Sequence, residues 1–173
     1  GVHGTASDAV YVCDSDVPNG GCFVIDYCDS AREQQENPRA REILTRISKG
    51  DAMAFDFMWR FWNFTHVYDD LVDQDKPVGV ETAAKELLAF VQTISFNPFY
   101  QTHSHQLYPL IVRCCHRWVT GDEMLASDDE TKRAQSTVVR CGDLDLFMYI
   151  AYLIGGWTHM REIESLMQYD QTQ

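Results

Sequence analysis

At 173 residues the chain has the length of one ordinary domain, and its 45% hydrophobic content excludes an intrinsically disordered protein. The formal net charge of −12 argues against nucleic-acid and anionic-membrane binding, which both need a basic surface. No apolar run approaches the roughly 20 residues that span a bilayer. The opening residues lack a basic region followed by an apolar core, so we expect no signal peptide and a cytoplasmic protein.

Residues 1–37 are predicted to form an N-terminal β-prone arm and a linker. The runs Val10–Cys13 and Cys22–Ile25 flank an Asn19-Gly20 pair, and Asn-Gly between apolar runs predicts a β-hairpin. An isolated hairpin is only marginally stable, so it must either pack on the rest of the chain or pair with a partner chain. In the second case, strand addition would make a homodimer.

Residues 38–173 are predicted to be an all-α domain, an antiparallel bundle of four to five helices with short links. Asn37-Pro38 starts a first helix that ends at Lys49-Gly50, and a central helix follows until Lys76-Pro77. Residues 80–95 predict an amphipathic helix. A further helix starts at Asn97-Pro98 and runs to about Gly121, with Pro109 marking a kink or a late start. The last helix spans about 130–168, bent at Gly142 or at Gly155-Gly156.

The helix predicted over residues 80–95 repeats apolar side chains at helical spacing. Ala84, Leu87, Leu88 and Val91 fall on one face, and such a face normally packs against the core. We therefore expect these four residues to be buried.

The six cysteines follow no CxxC spacing and no repeated metal-ligand spacing. Buried, unpaired cysteines in a reducing compartment are the favoured interpretation, with Cys114 and Cys115 as packing residues. Cys13, Cys22 and Cys28 lie close together in the sequence, so a disulfide or a zinc site among them stays open.

The central helix carries a line of polar residues on an otherwise apolar surface. Its members recur every three or four residues, which places them on one helical face: Asp56, Trp59, Asn63, His66, Asp70 and Asp73. Carboxylates and histidines are costly inside a protein unless they are paired, protonated or metal-bound. The line therefore predicts either a functional site, with His66 and Asp70 as catalytic groups, or a structural hydrogen-bond network.

The last helix repeats this pattern, and His159 and Glu162 lie on neighbouring turns of it. If this helix runs antiparallel to the central one, His159 and Glu162 could converge with His66 and Asp70 inside the bundle. His159 would then be a third catalytic group and Glu162 a metal ligand. Arginines are scarce in this acidic chain, and Arg140 is predicted either to bind a small anionic substrate or to form an ordinary salt bridge.

Asp69-Asp70-Leu71-Val72-Asp73 has the form D-D-x-x-D at the end of an aromatic-rich helix, and it resembles the first aspartate-rich motif of the α-helical isoprenoid synthases. That family is all-α, and its motif binds Mg²⁺ ions that hold the substrate diphosphate. The resemblance implies that Asp69, Asp70 and Asp73 bind Mg²⁺ or another divalent metal. It covers one helix, and the chain has no second acidic motif at the matching spacing.

Two functions follow from these patterns. The first is a metal-dependent helical-bundle enzyme that acts on a phosphorylated or diphosphate substrate. The second is a non-catalytic all-α interaction protein, from a phage or a bacterial operon, in which the polar line is structural. Convergence of the carboxylates and histidines around one cavity would favour the enzyme, and their dispersal would favour the interaction protein.

Overall fold

The computed structural model describes residues 38–73 and 77–168, except the side chains of 73, 167 and 168, and it describes the backbone of residues 10–12 and 23–25. Its contacts divide the chain into two units, Gly1–Glu42 and Ile43–Gln173. In the first unit, strands β1 (Val10–Val12) and β2 (Phe23–Ile25) pair antiparallel, with Val10 opposite Ile25 and Val12 opposite Phe23. The antiparallel pairing agrees with the predicted hairpin, but its register is centred between residues 17 and 18 instead of on Asn19-Gly20. The residues that connect the two strands lie outside the described residues.

The described part of the chain beyond residue 37 is helical, which confirms the predicted all-α bundle. The helices are α1 (Pro38–Ser48), α2 (Ala52–Asp73), α3 (Val80–Phe96), α4 (Pro98–Leu125), α5 (Glu130–Arg140) and α6 (Gly142–Gln168). None of these described helices combines the length and the apolar character that a bilayer-spanning helix needs.

Two boundaries differ from the prediction. Helix α4 continues across Pro109 and on to Leu125, four residues beyond the expected end. The predicted last helix is divided, because Cys141 leaves the helical conformation and separates α5 from α6. Within α6, Gly156 has φ 71° and ψ −167°, a left-handed conformation that favours glycine, and it kinks the helix at one of the predicted positions.

The core is an aromatic cluster built on α2. Phe57 stacks on Tyr100 of α4 with 5.2 Å between the ring centroids, and Phe61 meets Phe147 of α6 edge to face at 6.1 Å. Phe64 stacks on Phe90 of α3 at 4.7 Å. Aromatic pairs at these separations add to the free energy gained from burial. Helix α2 therefore contacts α3, α4 and α6, and it positions the rest of the bundle.

Helix α3 faces the core with a different side from the one predicted. Its buried residues are Glu86, Phe90 and Thr93, whereas Leu88 is 67% exposed and Leu87 is 51% exposed. Ala84 and Val91 are exposed as well, so the predicted burial of this face is wrong. At 3.6 residues per turn, Leu88 lies about 160° around the helix from Phe90. Phe90 packs on Phe61 and Phe64, and this contact turns the apolar residues outward.

Asn97, directly after the C-terminal end of α3, helps to fix the rotation of α3 about its axis. Its side-chain oxygen accepts the N–H of Tyr100 and caps α4, while its amide nitrogen donates to the carbonyl of Met53 (2.9 Å) and to the Asp56 carboxylate (3.1 Å). The backbone N–H of Asn97 also continues α3 by donating to the carbonyl of Thr93. This one buried residue therefore joins the end of α3, the start of α4 and the first turns of α2.

Replacing Asn97 with Ala is expected to lower the free energy of unfolding by about 2–3 kcal/mol, since it removes a helix cap and two bonds to α2. Asp129, an exposed cap that accepts the N–H of Thr131 at the start of α5, is the matched control, and Asp129→Ala should cost only about 1 kcal/mol. Urea unfolding of both variants measures the difference. Equal losses would contradict the joining role of Asn97.

Candidate functional site

The polar line of α2 begins in the core and ends at the surface. Asp56 is half-buried, 3.8 Å from the Arg60 guanidinium and hydrogen-bonded to Asn97. Burial raises the pKa of the Asp56 carboxyl, and the charge of Arg60 and the bond from Asn97 oppose that rise. Trp59 is buried, Asn63 and Asp70 are half-buried, and His66 is exposed. The sequence pattern indicated that the whole line lies on one interior face. In the structure, the line leaves the interior toward the C-terminal end of α2.

His66 lies against its own helix. Its ring is 4.2 Å from the Trp62 ring, and its Nδ1 is 3.0 Å from the carbonyl oxygen of Trp62, one turn earlier. Asp143, in the first turn of α6, is close enough for the His66 charge to act on its carboxyl. Burial raises the pKa of Asp143, while bonds from the N–H groups of Asp143 and Leu144, and the charges of His66 and Arg117, lower it in part.

Arg140 binds carboxylates from two other helices. Its guanidinium pairs with Asp69 of α2, and its Nε lies 3.1 Å from the Asp122 carboxylate of α4. The residue predicted as an anion clamp and the first aspartate of the D-D-x-x-D motif therefore form one inter-helical ion pair. This arrangement corresponds to the salt-bridge alternative.

Arg117 of α4 holds two further helices together. Its guanidinium donates to the carbonyls of Val138 and Val139, in the last turn of α5, at 2.9 Å each. It also binds the Asp145 carboxylate of α6 at 2.6 Å. The last carbonyls of a helix have no partner within the helix, so a guanidinium there satisfies them and complements the helix dipole. Arg117 thus stabilises the break between α5 and α6.

His159 has a similar role at the other end of the bundle. It is 5% exposed, and its Nε2 donates to the carbonyl of Ile47, in the last turn of α1, at 3.0 Å. Glu162 lies 3.9 Å from the other ring nitrogen, with its side chain 68% exposed. Gly155 makes room for this side chain, because a Cβ atom at position 155 would lie 2.5 Å from the Cβ of His159 and 2.7 Å from its ring carbon Cγ.

The structure places the two halves of the expected site at opposite ends of the bundle. Helix α6 runs antiparallel to α2, with Asp143 near His66 and Phe147 against Trp62. His159 comes sixteen residues after Asp143, which is about 24 Å of helix. The antiparallel arrangement therefore separates His159 and Glu162 from His66 and Asp70 instead of bringing them together.

Among the residues that the structure describes, no three His, Cys, Asp or Glu side chains are grouped as a metal site would require. The Asp73 side chain, a predicted metal ligand, lies outside the described residues. In comparisons with protein-family models, curated proteins and solved structures, nothing matches this chain. The resemblance to the isoprenoid synthases and the binding of Mg²⁺ remain predictions.

The described residues include three free cysteines: Cys114 and Cys115 in α4, and Cys141 between α5 and α6. Cys114 is buried, as predicted, whereas Cys115 is exposed, so its predicted packing role is wrong. Burial raises the pKa of the Cys114 and Cys141 thiols, and the charge of Asp143 raises both further. A raised pKa keeps a thiol protonated and unreactive near neutral pH. Cys13, Cys22 and Cys28 lie outside the described residues, so their pairing stays open.

The sequence patterns did not single out Asn97 as more than a helix start, and they did not point to Asp143. A signal for Asn97 exists, because Asn before Pro at a helix start predicts a cap, but its bonds to α2 depend on tertiary packing. Asp143 opens α6 only because the chain breaks at Cys141, and local spacing does not show that break.

The contact between Gly155 and His159 predicts a strong coupling. Gly155→Ala is expected to cost about 1–3 kcal/mol of unfolding free energy through overpacking against the His159 side chain. In a His159→Gly background the Cβ and the ring are both gone, so the same change should be neutral or stabilise by up to about 1 kcal/mol, because Ala favours helix over Gly. A double-mutant cycle on chemical unfolding measures this coupling. Additive effects would show that the two positions do not interact.

The raised pKa of Asp143 predicts a pH effect on stability. A carboxyl whose folded-state pKa is above its ordinary value binds its proton more tightly in the folded protein. The free energy of unfolding therefore falls as the pH rises from the ordinary pKa to the raised one. Asp143→Asn keeps an acceptor for the two N–H groups and removes the buried charge. The variant should therefore be more stable than the wild type near neutral pH, with the difference vanishing below the ordinary carboxyl pKa of 3.8.

Urea midpoints of both proteins across that range provide the measurement. The difference between the two proteins is the relevant quantity, because every other titratable group is the same in both and shifts both curves alike. A variant that is less stable than the wild type at neutral pH would contradict the prediction.

Proposed function

We propose that this protein is a non-catalytic helical interaction protein and that the outward face of α3 is its contact surface. The observation that carries the proposal is the exposed apolar face of α3, which we call the α3 stripe: Val80, Ala84, Leu87, Leu88 and Val91. Val80 is 88% exposed and Leu88 67%. Single exposed apolar residues are ordinary, but a contiguous apolar patch on a domain usually marks a binding surface.

The use of the polar residues supports the same proposal. Arg117, Arg140 and His159, the residues best suited to bind an anion or move a proton, each bind groups from other helices. Their bonds satisfy helix ends and pair carboxylates within the bundle. The polar line then acts as a structural network, as the second of the two sequence-based functions supposes.

The spacing of the α3 stripe suits a helix-packing surface. Its residues recur at intervals of three and four over about three turns, which is the pattern by which one amphipathic helix packs on another. The flanking ion pair between Glu81 and Lys85 is exposed, with 3.3 Å between the charged atoms. An apolar stripe with a polar border is the usual anatomy of a protein–protein contact.

Because a contact surface is not part of the monomer's core, the α3 stripe should tolerate polar side chains. The double variant Leu87→Gln/Leu88→Gln is expected to change the unfolding free energy by less than about 1 kcal/mol. Phe90→Ala, on the buried face of the same helix, should cost about 3–5 kcal/mol. Unfolding midpoints are compared at protein concentrations low enough that they no longer change on dilution.

A loss of about 4 kcal/mol or more in the double variant at that dilution would contradict the proposal, because two core leucines cost at least that much. Such a result would mean that the α3 stripe packs inside the folded monomer. A small change would leave these residues free to bind a partner, whatever that partner is.

A further inference from the structure

We infer that the partner at this surface is a second copy of the same chain, and that helices α3 and α4 together form a two-fold dimer interface. The inference rests on the proposed function, since it names the occupant of the surface proposed there. It draws on a second exposed apolar face, on the distribution of charge, and on the area that a stable dimer needs.

The second face lies on α4, which follows α3 with only Asn97 between them. We call it the α4 stripe: Tyr108, Val112, Cys115 and Val119. These residues recur at intervals of four, three and four, and all are exposed, Tyr108 by 61% and Val112 by 50%. A repeat at these intervals is the seam by which helices pack in a bundle or a coiled coil.

The α4 stripe lies on the side of α4 that the other helices leave uncovered. Arg117 points to α5 and α6, and Val112 and Val119 lie about 150° around the helix from it. Phe99, Tyr100 and Trp118 pack on the aromatic residues of α2. These contacts with α2, α5 and α6 come from other residues of α4.

The charge of α3 and α4 is compatible with contact between two copies. Residues 80–125 contain three Lys or Arg and four Asp or Glu, whereas the whole chain has 14 and 26. A two-fold interface brings the same patch of each copy together, so like charges meet across it. The near-neutral α3–α4 segment can therefore meet its own copy without strong repulsion. A strongly basic partner would instead be attracted to the acidic remainder.

The area argues for both helices together. A stable interface buries roughly 800 Å² on each partner, from about 20–30 residues. The α3 stripe alone provides five residues, which is too few. The two stripes together provide nine residues, and the exposed positions beside them bring the number closer to that requirement.

A membrane surface is a poorer occupant. Helices that lie on membranes carry many Lys and Arg residues on the polar face, and they bind anionic lipids through them. Helix α3 has Lys85 as its one basic residue, and the whole chain carries a net charge of −12.

The test is the molar mass of the full chain in solution, measured by light scattering over a dilution series. The wild type should show twice the monomer mass of 19.9 kDa at micromolar concentration and dissociate on dilution. Leu88→Glu and Val112→Glu, one in each stripe, should each raise the dissociation constant at least about thirtyfold, because each buries a charge at the centre of the interface. Circular dichroism confirms that both variants stay helical.

Val138→Glu is the matched control, because Val138 lies on α5 and is 70% exposed outside both stripes. This variant should dimerise like the wild type. A wild type that stays at 19.9 kDa up to about 100 μM would overturn the inference, since a specific interface of this size binds more tightly than that. So would a dimer that only Val138→Glu disrupts.

The two proposals fail in different ways. A monomeric wild type in which Leu87→Gln/Leu88→Gln keeps its stability overturns the second copy as the partner and leaves the α3 stripe as a contact surface for another protein. A double variant that loses the stability of two core leucines overturns both proposals. Binding of the wild type to vesicles of anionic phospholipid, lost in Leu88→Glu, would identify a membrane as the occupant and also overturn the dimer.

Discussion

The rotation of α3 about its own axis is the constraint on which the account of this protein depends. Phe90 packs between Phe61 and Phe64 of the central helix, and Asn97 bonds the end of α3 to the first turns of that helix. Both contacts act on the same side of α3. Once they are satisfied, Leu87 and Leu88 cannot reach the core, and a surface that would be unfavourable in an isolated monomer is exposed to solvent.

Polar residues hold the remaining helices in place. Arg117 and Arg140 join α5 to the helices around it, and His159 satisfies the end of α1. Arg117 and His159 bind carbonyls in the last turn of a helix, which have no partner within their own helix. Arg140 pairs with carboxylates of α2 and α4. Arg117 and Arg140 therefore stabilise the packing of the helices in this acidic chain.

The fold class and most helix boundaries could be predicted from the sequence, because caps, prolines and apolar periodicity are local signals. The rotation of α3 could not, since Leu87, Leu88 and Val91 give a stronger amphipathic pattern than the single Phe90 that decides the packing. The polar line of α2 could be recognised, but its partners could not. Whether His159 meets His66 depends on which ends of two antiparallel helices coincide, and whether Arg140 binds a ligand or Asp69 depends on the placement of α5.

The most direct test of the central claim is the solvent exposure of individual methyl groups, measured by NMR with a soluble paramagnetic agent at low and high protein concentration. At low concentration the account predicts strong line broadening for Leu87, Leu88 and Val91 and little for Leu146, which is fully buried. At high concentration the broadening of the three α3 residues should decrease, while that of the exposed Val138 should not. Leu88 methyl groups as protected as those of Leu146 at every concentration would contradict the account.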